Sequence, residues 1–271
     1  MSQKLKVAFC IPCYGDPKGK FLQSLLDMQA YFLSSRLEAP DGTPYEKEVK
    51  TFIVSTSMLT EGRHRLIAEA LNWEADFMLC MDADHTFPED ALDRLLVHNK
   101  MVVGCNYARR GIPTAPTAAR IDKTDDSHTG LLYTTAEKAE AGVVEECAHL
   151  GMGFVLINMK LFDHLQAYVE SLGERSFLPL FKFEPAPDFK GMRGEDVYFF
   201  EKVRASGVSV WCDHGLSWSL GHCHDIIMTH QHTIDQRDAW AKQETETKQR
   251  FLEKADEMDS RARVEGAVYG T

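Results

Sequence analysis

The chain has 271 residues, 44% hydrophobic and 26% charged, enough to bury a sizeable core in one large α/β domain or two small ones. Lys and Arg total 30 against 41 Asp and Glu, and the resulting charge of −11 argues against a protein that holds nucleic acid mainly by neutralising phosphates. No run approaches the ~18 consecutive apolar residues of a membrane span. No signal-peptide pattern follows Met1, and seven cysteines without framework spacing point to the reducing cytoplasm.

Short apolar runs alternate with amphipathic segments, the pattern of parallel βαβ units. Val7 to Cys13 predicts a buried first strand, and Phe21, Leu25, Met28 and Phe32 recur at helical spacing after it. Phe52 to Thr56 predicts a second strand, with Leu66, Ile67, Ala70 and Leu71 on one face of a second helix. Asp76 to Met81 predicts a third strand that runs straight into Asp82-Ala83-Asp84. Thr86-Phe87-Pro88-Glu89 has the form of a capping box, with Pro88 opening a helix that carries Leu92, Leu95 and Leu96. Met101 to Cys105 predicts a fourth strand.

From about Gly111 to Ala148 the pattern loosens into an insertion or hairpin region, with strand-like pieces at Leu131 to Thr135 and Val143 to Glu146. Gly151-Met152-Gly153 leads into an apolar strand, Phe154 to Ile157, and a helix bearing Leu161, Leu165, Tyr168 and Leu172. A Phe- and Pro-rich loop, Phe177 to Phe189, precedes Gly194-Glu195-Asp196 at the start of another helix. Val208 to Cys212 predicts a further strand. Ile234 onward is charged and helical, with Trp240, Phe251 and Leu252 expected to serve packing. No repeat or linker divides the chain, so residues 1–233 read as one domain and 234–271 as a charged helical appendage.

Asp82-Ala83-Asp84 carries the most chemistry. In an extended segment residues i and i+2 share a side, so both carboxylates can face one site. The exit of a buried strand is where open α/β sheets bind ligands. Two carboxylates there repel unless a cation relieves them, and Mg²⁺ or Mn²⁺ does so while bridging phosphates. Glu195 and Asp196 sit where a helix dipole favours acids, and either carboxylate can act as general base. Asp213 to His232 holds His214, His222, His224, His230 and His232. One of these can complete a metal site begun by Asp84, and a zinc centre is the competing explanation. Cys10-Ile11-Pro12-Cys13 lies along a strand end, so its thiols read as buried rather than redox-active. Arg63-His64-Arg65 and Arg109-Arg110 are either solvated surface or anion clamps. No P-loop, G-x-G-x-x-G or G-x-S-x-G motif is present.

Four landmarks over Leu5 to Asp225 together resemble GT-A glycosyltransferases. They are the Pro-containing loop Ile11-Pro12-Cys13-Tyr14, the helix start Thr60-Glu61-Gly62-Arg63-His64, the strand Phe77 to Met81 with its D-x-D triplet, and Gly194-Glu195-Asp196-Val197-Tyr198-Phe199 followed by Gly207, Trp211, Asp213 and His222. His64 stands where that family usually has Asn. The resemblance implies a GT-A type, Rossmann-like, mostly parallel sheet flanked by helices. It implies that Asp84 and His222 ligate Mn²⁺ or Mg²⁺, with His224 as the fallback and Asp82 at the metal or the ribose. Pro12, Tyr14 and Arg63 would line the nucleotide pocket, Gly153 would approach the donor sugar or acceptor, and Asp196 or Glu195 would be the base.

The activity implied is metal-dependent transfer of a sugar from a nucleotide-diphosphate sugar to an acceptor hydroxyl, by inversion or retention. The acceptor is open. Some viral members act on hydroxymethylated DNA bases, and Arg109, Arg110, Arg120 and Lys123 are candidates for a locally basic groove. A glycan acceptor and a homodimer through the C-terminal helix also stand as expectations. The rival functions are a sugar nucleotidyltransferase, a zinc hydrolase and a non-catalytic nucleotide-binding module.

Overall fold

A computed structural model describes residues 3–39, 41–122, 128–172, 179–185, 192–223 and 227–268. The chain runs β1 (Gln3–Cys13), α1 (Gly19–Ser34), β2 (Tyr45–Ser55), α2 (Leu59–Asn72), β3 (Phe77–Met81), β4 (His85–Thr86), α3 (Ala91–Val97) and β5 (Val102–Gly104). It continues β6 (Ala119–Ile121), β7 (His128–Leu131), α4 (Ala136–Glu140), β8 (Val144–Cys147), β9 (Phe154–Asn158) and α5 (Leu161–Ser171). Then come β10 (Glu184–Pro185), β11 (Met192–Arg193), α6 (Glu195–Ala205), β12 (Val210–Asp213), α7 (His214–Ser219), β13 (Gly221–Cys223), β14 (Ile227–Met228), α8 (His230–Asp235) and α9 (Arg237–Val268).

Seven strands form the central sheet in the order β2-β1-β3-β9-β5-β12-β8. The β2-β1-β3 and β5-β12 pairings are parallel, and β9 and β8 run against their neighbours. Five of the seven therefore share one direction, the mostly parallel α/β sheet that the sequence predicts. Strand alternation divides the core. Val7, Phe9 and Ile11 of β1 face a layer with Phe21, Leu25, Met28 and Phe32 of α1 and Leu92 and Leu95 of α3. Ala8 and Cys10 face the opposite layer, with Leu66, Ile67 and Ala70 of α2, Leu161 and Leu165 of α5, and Phe199 and Phe200 of α6. Being covered on both faces is why β1 is a continuous apolar run instead of an alternating one. Each large apolar side chain buried here contributes roughly 1.5–3 kcal/mol.

Several local expectations are corrected. Thr86 belongs to β4 and pairs with Gly221, so it is no helix cap; α3 begins at Ala91 behind Asp90. The strand piece expected at Leu131 to Thr135 ends at Leu131, and Thr135 instead caps α4 through its side chain. β6 and β7 do pair as an antiparallel ladder, but β8 is the edge of the main sheet and no part of an insertion. Phe251 and Leu252 of α9 are 64% and 44% exposed, so neither packs on the core. α8 straddles the expected boundary at residue 234, with His230 and Thr233 buried against the core. Cys10 and Cys13 both lie in β1 as buried free thiols. No helix among the described residues is long and apolar enough to cross a membrane.

Candidate active site

The chain leaves β1 for α1 on one face and β2 for α2 on the other, and β2 and β3 flank β1 on opposite sides. That reversal is a topological switch point, where strand ends diverge and open a crevice. A cleft of about 540 Å³ lies there, lined by residues that include Pro12, Tyr14, Lys18, Asp82, Asp84 and Arg110. Its size is that of an ordinary small-molecule site. Tyr14 stands at its mouth, 86% exposed. Lys18, at the head of α1, donates its backbone N–H to the Ala83 carbonyl at 2.9 Å and so ties the helix to the acidic triplet.

The triplet is not extended. The His85 N–H donates to the Asp82 carbonyl at 3.4 Å, closing a turn over residues 82–85. The two carboxylates take different partners, yet both line the one cleft. Asp82 turns toward Arg63, whose Nη2 lies 3.5 Å from Asp82 Oδ1 and 3.5 Å from Glu195 Oε1. Arg63 is 5% exposed and does not line the cleft as expected; it bridges the β3 exit and the head of α6 from beneath. Burial opposes its charge, but Asp82 and Glu195 outweigh that, and the guanidinium is held more firmly protonated than usual. His64, beside it, accepts the Leu180 N–H at 3.0 Å and serves as a staple for that loop.

Asp84 turns the other way. Its Oδ1 lies 3.4 Å from His222 Nε2 and 3.7 Å from His85 Nδ1, and its Oδ2 lies 3.1 Å from Arg110 Nη1. Burial raises the Asp84 pKa, yet the hydrogen bond and charge of His222, with His85 and Arg110, bring it below the usual value. Antiparallel pairing of β4 with β13 sets His85 opposite His222, and the rings stack at 4.4 Å. His222 Nδ1 donates to the Ala108 carbonyl at 2.8 Å, which orients the ring with Nε2 toward Asp84. His85 is fully buried and neither ring nitrogen has a hydrogen-bond partner. Burial first, then His222, pushes its pKa down to about 4, so the ring is neutral at ordinary pH.

Asp84, His85 and His222 form the metal-ligand-type cluster found among the described residues. Asp82, also expected as a ligand, is outside it. His85 was missed, because strand alternation would have aimed it away from Asp84. Of the other histidines, His214 joins Thr134 and Glu145, His230 joins Asn106, and His232 caps α8; none reaches the cluster. His224 and Lys123 lie outside the described residues, as does part of the Phe177–Phe189 loop.

Gly153 is fixed by this geometry. A Cβ there would lie 2.5 Å from His85 Cε1 and 2.7 Å from the Tyr107 hydroxyl, so only glycine fits between them. Its N–H donates to that hydroxyl at 3.0 Å, and its carbonyl accepts the Asp82 N–H at 2.9 Å. At the head of α6, burial raises the pKa of Asp196 despite the Val197 N–H bond, and raises that of Glu195 despite Arg63.

No protein-family model matches the sequence, and no curated protein matches it. Among solved structures, A197 from STIV is similar at 15% identity with a TM-score of 0.49, over 84% of this chain and 91% of that one. GalNAc-T7, crystallised with UDP, GalNAc and Mn²⁺, is similar at 11% identity with a TM-score of 0.45, over 82% of this chain. The chain spans 44% of the length of GalNAc-T7. Both are likenesses of overall fold alone.

Proposed function

We propose that the chain is a metal-dependent glycosyltransferase that moves a sugar from a nucleotide-diphosphate sugar to an acceptor hydroxyl. One observation carries the reading: a cluster of one carboxylate and two imidazoles whose Asp84 lines a switch-point cleft large enough for a nucleotide. The residues fit a divalent cation. His85 has two buried nitrogens with no hydrogen-bond partner, an arrangement that is costly unless a ligand relieves it, and His222 turns its Nε2 toward the same Asp84 oxygen. Bound by Asp84, His85 and His222, Mn²⁺ would supply Lewis-acid stabilisation to a departing diphosphate. Two imidazoles in the set disfavour Mg²⁺, which prefers oxygen ligands.

The other residues divide the remaining work. Pro12 and Tyr14 wall the nucleotide, with the exposed Tyr14 ring free to cover a base. Asp82, steadied by Arg63, offers its carboxylate to ribose hydroxyls. Asp196 takes the proton of the acceptor hydroxyl, a role its raised pKa suits. Glu195 is held by Arg63 and serves that ion pair. Gly153 keeps His85 and Tyr107 in close approach.

A panel of UDP-, GDP-, CDP- and TDP-sugars tests the reading by manganese-dependent thermal stabilisation and slow donor hydrolysis. Asp84→Ala should abolish both, with hydrolysis falling on the order of 10²–10³-fold; unchanged behaviour refutes the metal assignment. The same two-imidazole, one-carboxylate set favours a second reading, a zinc hydrolase. That reading wins if the purified chain retains zinc and ignores every nucleotide sugar.

A further inference from the structure

Asp84 carries two kinds of neighbour on its two oxygens. Oδ1 meets the imidazoles, while Oδ2 is held at 3.1 Å by a guanidinium that is itself 56% exposed. A metal ion that took Asp84 would meet Arg110 as a competitor for the same carboxylate. Arg110 also lines the cleft, on the rim that Lys18 shares, so its freed guanidinium would remain beside whatever anion fills that space.

The loop bearing Arg110 is braced at its base. The Arg109 N–H donates to the Ala115 carbonyl at 2.8 Å, the Thr114 hydroxyl donates to the Arg109 carbonyl at 2.6 Å, and the Thr114 N–H donates to Gln236 Oε1 at 2.9 Å. The neighbouring Ala108 carbonyl holds His222. Movement there is left to the long Arg110 side chain, and the backbone that orients His222 stays in place.

We infer that Arg110 is a resident counter-ion for Asp84, which yields the carboxylate to a metal ion when a diphosphate is present to receive the guanidinium. The inference rests on the metal and diphosphate reading above. Its consequence is coupling: metal alone must displace Arg110 without compensation, whereas metal with diphosphate gives it a new partner with bidentate geometry. Coupling of this kind is reciprocal, so each ligand tightens the other.

Manganese binding to the full chain, followed by electron paramagnetic resonance with and without inorganic pyrophosphate, tests this. Arg110→Ala should bind Mn²⁺ alone roughly three- to fivefold more tightly than the parent chain, the range expected of a half-exposed ion pair. The enhancement by pyrophosphate should shrink by the same factor. Arg109→Ala removes an equal charge next door, on a side chain stacked over Trp240 at 5.7 Å, and should leave the affinity for Mn²⁺ alone unchanged. A gain of affinity is what mere structural damage would not produce. Equal or weaker manganese binding by Arg110→Ala overturns the inference, as does an equal gain in Arg109→Ala. Asp84→Ala separates the levels. If it binds manganese like the parent, the site reading fails and the inference falls with it. If it loses manganese while Arg110→Ala gains nothing, the inference alone fails.

Discussion

The acidic triplet holds two carboxylates two residues apart that live in opposite electrostatic worlds. Asp82, although its side chain is the more exposed of the two, belongs to the half built on buried Arg63 (the inner half): the guanidinium spans Asp82 and Glu195, and Asp196 lies next to them on α6. Asp84 belongs to an outer half left incomplete, with two ring nitrogens of His85 lacking hydrogen bonds and a half-exposed arginine sharing the carboxylate with His222. Internal charges that are satisfied lock geometry; those left open wait for a ligand. The turn at residues 82–85 is what separates the two.

The sharpest way to break this comparison is to remove the inner cation. Arg63→Ala leaves buried Glu195 unpaired and takes the cation from Asp82 at the cleft wall, and is expected to cost about 3–5 kcal/mol in denaturant unfolding. Asp84→Ala removes an acid whose ion pair is half exposed, and should change stability by less than about 1 kcal/mol. Equal losses in the two variants would erase the distinction between the halves.

How far the site could be read in advance depends on contact range. β1, β3 and the helices between them follow from local periodicity, because each strand is buried on both faces by its own neighbours in the chain. Asp84 and His222 were nameable through family landmarks. His85 was not, because its role depends on a two-residue strand pairing with β13, 137 positions away. Nothing in a two-residue strand stands out in periodicity, and the turn before it inverts the facing rule used to read it. Arg63 was nameable as a cation near an anion, but its burial, and so its partners, follows only from how α2 packs against β1 and the head of α6.

Asp196 tests the inner half by pH. Burial raises its folded pKa above the unfolded value of about 3.9, so the native state binds its proton more tightly than the unfolded chain does. Stability therefore falls as pH rises from the unfolded value through the folded one, and the charged form is a cost above it. Asp196→Asn should raise the melting temperature at neutral pH by about 2–4 °C, an advantage that disappears below the unfolded value. The same variant should lose roughly 10²–10⁴-fold in transfer, and the acid limb of kcat/KM in the parent should lie above that of a free aspartate. Glu195→Gln removes a partner of Arg63 along with a charge that burial disfavours, so its gain at neutral pH should be smaller than that of Asp196→Asn. An equal gain in both would mean that the Arg63 bridge contributes nothing.

His85→Phe sharpens the outer half. The substitution keeps an aromatic ring between His222 and Tyr107 and deletes two nitrogens that have no hydrogen-bond partner. Folding stability should hold or rise by about 1 kcal/mol, because an unsatisfied buried polar group costs about that much or more. Manganese affinity should drop at least about tenfold, the lower end even for partners that only orient a ligand. Unchanged affinity would remove His85 from the cluster and leave Asp84 with His222 alone.

Tyr107 touches both halves, and its hydroxyl gives the smallest and most discriminating effect. The ring packs edge-on against His85 at 4.3 Å and His222 at 5.6 Å, while the hydroxyl accepts the Gly153 N–H beside Asp82. Tyr107→Phe preserves the ring contacts and orphans one buried N–H, so about 1 kcal/mol of stability should be lost. Manganese affinity should stay within about twofold of the parent, since neither imidazole loses a neighbour. A tenfold loss would mean that the Gly153 backbone transmits its position to His85 and that the two halves act as one unit. In that case the Arg63 and His85 substitutions would be strongly non-additive in a double-mutant cycle, where independent halves predict agreement within about 0.5 kcal/mol.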